Sequence, residues 1–279
     1  MRGGTVSHEL GCEINVECDD RLANVLWIAG PAGAGKTTVT RQLARKRGLR
    51  WYNYDAQTWQ HLDRAVADGV RNAQRFAALT PAQRKFAPPD EIEYDRGPLI
   101  IEDLSALPAS PLIVADGAPP AAAVAVPSQV VWLLPSQAVQ RDRLEQRHPD
   151  GVPPRYLQQW AGAIEHAEAS GTAIVTVDDL TVEQAVAEVE KTFARRLAEG
   201  PLATTTARLR ELLRYTNQTI IAQCRGWLEH QPERGVRPAA QMFDCECARP
   251  ACTELIELPV ETAESAVGSR PPTIVAIGH

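Results

Sequence analysis

A chain of 279 residues, 44% hydrophobic and 23% charged, can bury a substantial core as one large domain or two unequal ones. Its net charge of −6 argues against wholesale wrapping of nucleic acid, and no apolar run is long enough to span a bilayer. The start "MRGGTVSHELGCEINVECDD" lacks a basic segment followed by an apolar one, so the six cysteines read as thiols or metal ligands and the expected compartment is the cytoplasm.

In chain order, residues 1–20 are polar and aperiodic and are expected to form an extension. "VLWIAG" from Val25 is strand-like, and "TTVTRQLARKRG" is helix-like and stops at Gly48. "LRWYNYD" is a second strand, followed by one amphipathic stretch from about Gln57 to Leu79. "TPAQ" at 80–83 carries a helix-start signal, with Thr at the cap and Gln three residues later. "PLIVADG", "QVVWLLP" and "AIVTVD" are further β-type runs, and Thr181 with Gln184 predicts another capping box. Short β-branched strands alternating with helices predict an α/β domain, a parallel sheet covered on both faces, over residues 21–200. The pattern changes near "AEGPLATT". Residues 201–279 open on a helix expected from about Leu202 to His230, with Leu209, Leu212, Leu213, Ile220, Cys224 and Leu228 along one side. A Pro/Gly/Arg linker and a short cysteine cluster follow.

Gly30, Gly35, Lys36 and Thr37 fit G-x-x-x-x-G-K-[ST], the Walker A pattern, between a predicted strand and a predicted helix. Glycines let consecutive N–H groups turn inward, and the helix that follows adds its positive end. The cradle runs from Gly30 through Gly33, Ala34, Gly35, Lys36, Thr37 and Thr38. Lys36 suits the β- and γ-phosphates of a nucleoside triphosphate, and the Thr37 hydroxyl suits Mg²⁺.

Asp116 ends an apolar strand, where its carboxylate could hold Mg²⁺ through water; the competing reading is a turn aspartate before Gly117. Asp55 follows the second strand, on the carboxyl side where ligands bind in open α/β sheets, and is a candidate base for an acceptor hydroxyl. Capping the next helix is its alternative role. Arg143 and Arg147 lie one turn apart on a helix starting at Ser136, before a Pro/Gly loop that ends in Arg155. Such arginines can neutralise a transferring phosphoryl group, or be ordinary solvated helix charge. Glu102 and Asp103 read as acids outside the reacting set.

From about residue 22 to 198, "GPAGAGKTT", "YNYD", "PLIVADG" and "VVWLLPSQAVQRDRLEQR" resemble the adenylate, shikimate and gluconate kinase type of P-loop phosphotransferase. The resemblance implies a nucleoside-monophosphate-kinase-like five-stranded parallel sheet and Mg-ATP-dependent phosphorylation of a small molecule. It implies Lys36 and Thr37 as nucleotide ligands and Arg143, Arg147 and Arg155 as lid residues. It assigns no acceptor, because "APPAAAVAVP" after Asp116 carries no substrate-clamping arginine.

Cys245, Cys247, Cys252 and the final His279 make a Cys₃His set, which suits a closed, structural Zn²⁺ site; packed free thiols are the alternative. This end is similar to a small bacterial module with an Arg-x-x-Asn helix, here Arg214 to Asn217, then "FDCECARPACTELIEL" and a closing Gly278-His279. Cys12, Cys18 and Cys224 have no matching set. The expected protein is a P-loop phosphotransferase with a zinc-stapled appendage remote from the phosphate loop. The alternative is a nucleotide-dependent regulatory protein whose residues 201–279 bind a protein or nucleic acid, with the low net basicity weighing against nucleic acid.

Overall fold

The computed structural model describes residues 22–124, 126–231, 239–249, 252–268 and 274–279. The expected N-terminal extension, with Cys12 and Cys18, lies outside them. The strands are β1 (Val25–Ala29), β2 (Arg50–Asn53), β3 (Ile113–Asp116), β4 (Val130–Leu134), β5 (Ala173–Thr176), β6 (Gln241–Asp244) and β7 (Leu255–Leu258). The helices through the middle of the chain are α1 (Lys36–Arg47), α2 (Thr58–Ala67), α3 (Arg71–Ala78), α4 (Pro81–Phe86), α5 (Pro89–Ile92), α6 (Gly97–Ala106) and α7 (Ala121–Val124). Those that follow are α8 (Gln137–Arg147), α9 (Pro154–Ser170), α10 (Val182–Thr192), α11 (Ala194–Glu199), α12 (Thr206–Glu229) and α13 (Val260–Val267).

The first five strands form one parallel sheet in the order β2-β3-β1-β4-β5, and β6 pairs antiparallel with β7. In β1, β3 and β4 the side chains alternate between two buried faces, which is why these strands read as continuous apolar runs, whereas the edge strand β5 exposes Ile174 and Thr176. Leu26 and Ile28 join Val114, Val131 and Leu133 in a core beneath α1, α10 and α12. Val25, Trp27 and Ala29 join Ile113, Ala115, Val130 and Trp132 in a second core against α6 and α9. With a glycine loop leaving the central strand β1, this is the α/β P-loop fold.

Both predicted capping boxes form, at Thr80 with Gln83 and at Thr181 with Gln184, and Ser136 caps α8. The amphipathic stretch from Gln57 to Leu79 is two helices, not one. At the Asp68-Gly69 turn, the Gly69 N–H donates to Val66 O at 3.1 Å and the Val70 N–H to Ala65 O at 2.9 Å, closing α2. The apolar periodicity continues across this break in α3, so periodicity alone did not reveal it.

The C-terminal residues share the α1-side core: Ile220 and Ile221 of α12, Phe243, Val260, Ala263, Val267 and Ile274 belong to the same cluster as Leu26 and Leu43. The fully buried Asn217 side chain fixes α12 to β6. It donates to Asp244 O at 3.0 Å and Glu246 Oε1 at 3.1 Å, and accepts from the Asp244 N–H at 2.8 Å. Arg214, one turn earlier, donates to Glu246 Oε2 at 3.0 Å. Asn217→Ala would leave buried polar groups on both sides unpaired, and should cost about 2–3 kcal/mol. Amide exchange should show the loss concentrated in residues 241–258 while β1 to β5 keep their protection; uniform protection would contradict the role given to Asn217.

Candidate functional site

The carboxyl ends of β1, β2 and β3 lie level. Asp116 pairs in register with Ile28 on one side and Asn53 on the other. Strand alternation turns Trp51, Asn53, Val114 and Asp116 to the α1 face. Asp116 is 2% exposed and meets α1 there: Thr37 Oγ1 donates to its Oδ2 at 2.7 Å, and Trp51 Nε1 to its Oδ1 at 2.8 Å. Burial pushes the Asp116 carboxyl up to about 6, against the opposing pull of the Thr37 and Trp51 hydrogen bonds. It is thus a buried strand carboxylate bonded to the loop threonine, not a surface turn residue.

The loop itself is shaped by its glycines. Gly30 takes φ of 144°, and a Cβ there would stand 2.3 Å from Leu133 O of β4. Gly35, with φ of 85°, caps α1, and a Cβ there would meet nothing within 4 Å. Ala34 is buried, while Thr37 and Thr38 are exposed at the start of the helix. Lys36 Nζ donates to Pro31 O at 2.9 Å, so the lysine folds back across the loop. Burial lowers its pKa, with Asp55 and Asp116 opposing and Arg147 adding to the shift.

Three residues of α8 and α9 hold the loop from outside. Gln140 donates to Ala32 O at 3.0 Å, Gln159 Oε1 accepts from the Ala32 N–H at 3.3 Å, and Arg143 Nη1 donates to Gly33 O at 3.3 Å. Arg143 also reaches Val177 O, just beyond β5, at 3.3 Å. Neither glutamine was a candidate in the sequence; the usable signal was that Ser136, Gln140 and Arg143 fall on one face of α8.

Asp55 is exposed on a single turn of 3-10 helix, Asp55–Gln57, directly after β2. Its alternative role as a cap is not realised. Asn53 Oδ1 accepts from the Ala56 N–H at 2.6 Å, so the preceding asparagine does that work. Arg147 is exposed at the end of α8. Arg155 is held differently: its Nη1 donates to Arg84 O at 2.7 Å, and its guanidinium lies 5.1 Å from the Tyr156 ring. Lys36, Thr37, Asp55, Asp116, Arg143 and Arg147 thus gather around the loop, while Arg155 is tied to α4. Asp103, read as peripheral, anchors α6 to α2 and β2. Burial raises its pKa, but hydrogen bonds from His61, Arg64 and Tyr52 outweigh that and hold it low.

The ligand atoms of Cys245, Cys247, Cys252 and His279 all lie within 4.8 Å of one another, and the three cysteines are buried and free of disulfides. His279 Nδ1 is 3.5 Å from Cys245 Sγ and 3.4 Å from Cys252 Sγ. Tetrahedral zinc, with legs of about 2.3 Å to sulfur and 2.0–2.1 Å to nitrogen, has S–N edges of roughly 3.5 Å. The N–H groups of Arg249 and Ala276 point at Cys247 Sγ and Cys245 Sγ, at 3.4 and 3.3 Å, as suits thiolates. The cluster fits a metal ion.

The cluster packs against the half of α1 that lies away from the phosphate loop. Arg41 of α1 donates to Asp244 Oδ2 at 2.8 Å and to Met242 O at 3.1 Å, and Arg45 donates to Cys245 O at 3.0 Å. The helix that begins at the loop is therefore bolted to β6 and to Cys245, the residue that follows it. Among the described residues no helix is long and apolar enough to cross a membrane.

No protein-family model matches the chain. A search of curated proteins also finds no match. Among solved structures, a gluconokinase from Sinorhizobium meliloti 1021 aligns at 20% identity and TM-score 0.40, covering 62% of this chain and 93% of its own. TT1252 from Thermus thermophilus aligns at 17% identity and TM-score 0.38, covering 60% and 96%. An uncharacterized protein from Eubacterium ventriosum ATCC 27560 aligns at 13% identity and TM-score 0.31, covering 61% and 98%. At these scores, what the site can do follows from this chain's own residues.

Gly30→Ala forces a methyl group against a backbone carbonyl of β4 and should cost roughly 3 kcal/mol or more. Gly35→Ala meets open space and should cost about 1–2 kcal/mol, the left-handed backbone penalty alone. Denaturant unfolding of both variants checks this order; equal midpoints would contradict the loop geometry.

Proposed function

We propose that the chain is a Mg-ATP-dependent phosphotransferase of the P-loop small-molecule kinase type, acting on a small acceptor that carries a nucleophilic oxygen. The observation that carries this reading is the Thr37–Asp116 hydrogen bond beside Lys36 and the glycine loop. A hydroxyl and a carboxylate in contact at the start of a phosphate-binding helix are the pair that holds Mg²⁺ in P-loop enzymes. In this role Mg-ATP takes the loop N–H groups from Gly30 to Thr38, and Lys36 exchanges Pro31 O for the β- and γ-phosphates. Asp55, exposed beside Lys36, would accept the acceptor's proton as its oxygen attacks the γ-phosphorus, the bond to the β,γ-bridging oxygen breaks and ADP leaves. Arg143 and Arg147 offset charge on the transferring group. Arg155 serves as a lid residue once it releases Arg84 O.

Zn²⁺ in the Cys₃His set is structural in this proposal, because four protein ligands leave no open position for water. The protein acts in the cytoplasm, without nucleic acid or membrane. A second reading, a nucleotide-dependent regulatory protein that engages a partner through residues 201–279, is favoured by one observation. Arg41 and Arg45 join the phosphate-loop helix to the module.

Two variants separate binding from chemistry. Lys36→Ala should remove measurable Mg-ATP binding by calorimetry in a folded protein, since the lysine supplies phosphate charge and not core packing. Asp55→Asn should bind Mg-ATP almost normally, yet lower turnover on an acceptor that the wild-type chain phosphorylates by about 10²–10⁴-fold. Unchanged affinity in folded Lys36→Ala would remove the nucleotide assignment, and unchanged turnover in Asp55→Asn would remove the base.

Elemental analysis of protein purified without a metal-binding tag should find one zinc per chain. Chelation or Cys247→Ser should open residues 239–279 to protease, because structural zinc contributes roughly 10 kcal/mol or more of binding energy to such modules. A zinc-free protein with a protease-resistant C-terminus would make the cysteines packed thiols.

A further inference from the structure

Thr37, Arg41 and Arg45 follow one another at four-residue intervals on α1, so they form a stripe down a single face of the helix. Each meets a group brought in from another part of the chain. In the first turn Thr37 Oγ1 donates to Asp116 Oδ2 at 2.7 Å. One turn on, Arg41 donates to Asp244 Oδ2 through Nε at 3.2 Å and through Nη2 at 2.8 Å. In the last turn Arg45 Nη2 donates to Cys245 O at 3.0 Å, and Arg45 Nη1 stands 3.5 Å from Asp244 Oδ1. Trp51 of β2 joins the first two levels: its indole N–H bonds Asp116 Oδ1 at 2.8 Å, and its ring lies 5.7 Å from the Arg41 guanidinium. Asp116, Asp244 and Trp51 are all buried, so these contacts are little screened by water.

The far end of the stripe rests on the Cys₃His set. Cys245 gives its sulfur to the cluster and its carbonyl oxygen to Arg45, and Asp244 is the residue before it. No intervening segment separates a metal ligand from the contact with the helix. Metal binding and ordering of a small cysteine module are one equilibrium. Occupancy of the set therefore decides whether Asp244 and Cys245 O stand where Arg41 and Arg45 meet them. Successive turns of a hydrogen-bonded helix rotate together, so pinning the second and third turns also sets where Thr37 Oγ1 points. Lys46 and Arg47, off this stripe, hold Glu190 of α10 at 2.6 Å each, an anchor that does not pass through the module.

We propose that metal occupancy of the Cys₃His set regulates Mg-nucleotide binding at the phosphate loop through this stripe, with the zinc-loaded chain binding more tightly. The proposal rests on the Mg-ATP and zinc readings given above and adds the coupling between them. Arg41 and Arg45 are positioning residues in it: they touch neither nucleotide nor metal, and act by holding α1 against the module. Coupling between two sites is reciprocal, so bound nucleotide must tighten zinc by the same factor that zinc tightens nucleotide.

The test uses the full chain, zinc-loaded or stripped with a chelator that leaves Mg²⁺ free, and the non-hydrolysable probe Mg-AMPPNP in calorimetry. Stripping should weaken Mg-AMPPNP by about fivefold or more, within the usual range of such couplings, and one equivalent of Zn²⁺ should restore it. Saturating Mg-AMPPNP should tighten zinc by the same factor in a competition assay with a chelating dye. Arg41→Met keeps all four metal ligands, and should bind Mg-AMPPNP at the zinc-free level whether or not zinc is present. Glu190→Gln removes the anchor to α10 and should keep the wild-type zinc dependence. The reciprocal measurement needs no variant, so it decides the matter even if Arg41→Met does not fold. Equal or tighter Mg-AMPPNP binding without zinc, or a zinc affinity indifferent to nucleotide, overturns the coupling while the Mg-ATP reading stands. Full zinc dependence in folded Arg41→Met, or its loss in Glu190→Gln, overturns the route through the stripe. Absence of Mg-AMPPNP binding in both forms removes the Mg-ATP reading itself, and the coupling with it.

Discussion

A carboxylate kept almost entirely out of water organises this molecule. Asp116 ends β3 with 2% exposure, and a buried charge without partners would be strongly destabilising. Its partners come from separate elements: the Thr37 hydroxyl from α1 and the Trp51 indole from β2. The Asp116 carbonyl also accepts from the Tyr54 N–H at 3.0 Å, fixing the chain as it leaves β2 towards Asp55. One residue thus sets the start of α1 against the sheet and aims the next turn at the same space. That the carboxyl titrates near 6 reflects how little solvent reaches it. A divalent cation between Thr37 and Asp116 would relieve this burial, which is the physical link between the fold and the proposed Mg-ATP chemistry.

The same helix is restrained along its length. Its first turn meets Asp116, and its middle and last turn meet Asp244 through Arg41 and Arg45. Trp51 spans the two regions: its indole N–H bonds Asp116, while the Arg41 guanidinium lies 5.7 Å from its ring. The cysteine strand, the helix and the phosphate loop form a continuous set of contacts, with Asn217 and Arg214 of α12 bracing the strand from behind. This arrangement gives the C-terminal residues a physical route to the glycine loop under either functional reading.

Much of this was legible in the sequence because it depends on local rules. The strands announced themselves as β-branched apolar runs, and the caps at Thr80, Ser136 and Thr181 formed as their spacing predicted. The glycine loop appeared in its strand-to-helix context, and three cysteines with a terminal histidine did come together. What sequence could not supply were contacts between elements far apart in the chain. Gln140 and Gln159 look like ordinary helix-surface residues until the loop is placed beside them. Arg41 and Arg45 carry no sequence signal beyond their place in α1, and only tertiary packing sets Asp244 opposite them. The break between α2 and α3 was missed because apolar spacing survives a turn that a glycine makes easy.

The central claim is that the loop from Gly30 to Thr38, Asp116 and Asp55 form one Mg-nucleotide site. A crystal structure of the full chain with Mg²⁺ and a non-hydrolysable ATP analogue tests it most directly. The account predicts the triphosphate in the loop, Mg²⁺ at Thr37 Oγ1 with Asp116 bound directly or through one water, and the Asp55 carboxylate facing the γ-phosphate. A nucleotide bound elsewhere, or a loop that stays closed with Lys36 on Pro31 O under saturating ligand, would contradict it.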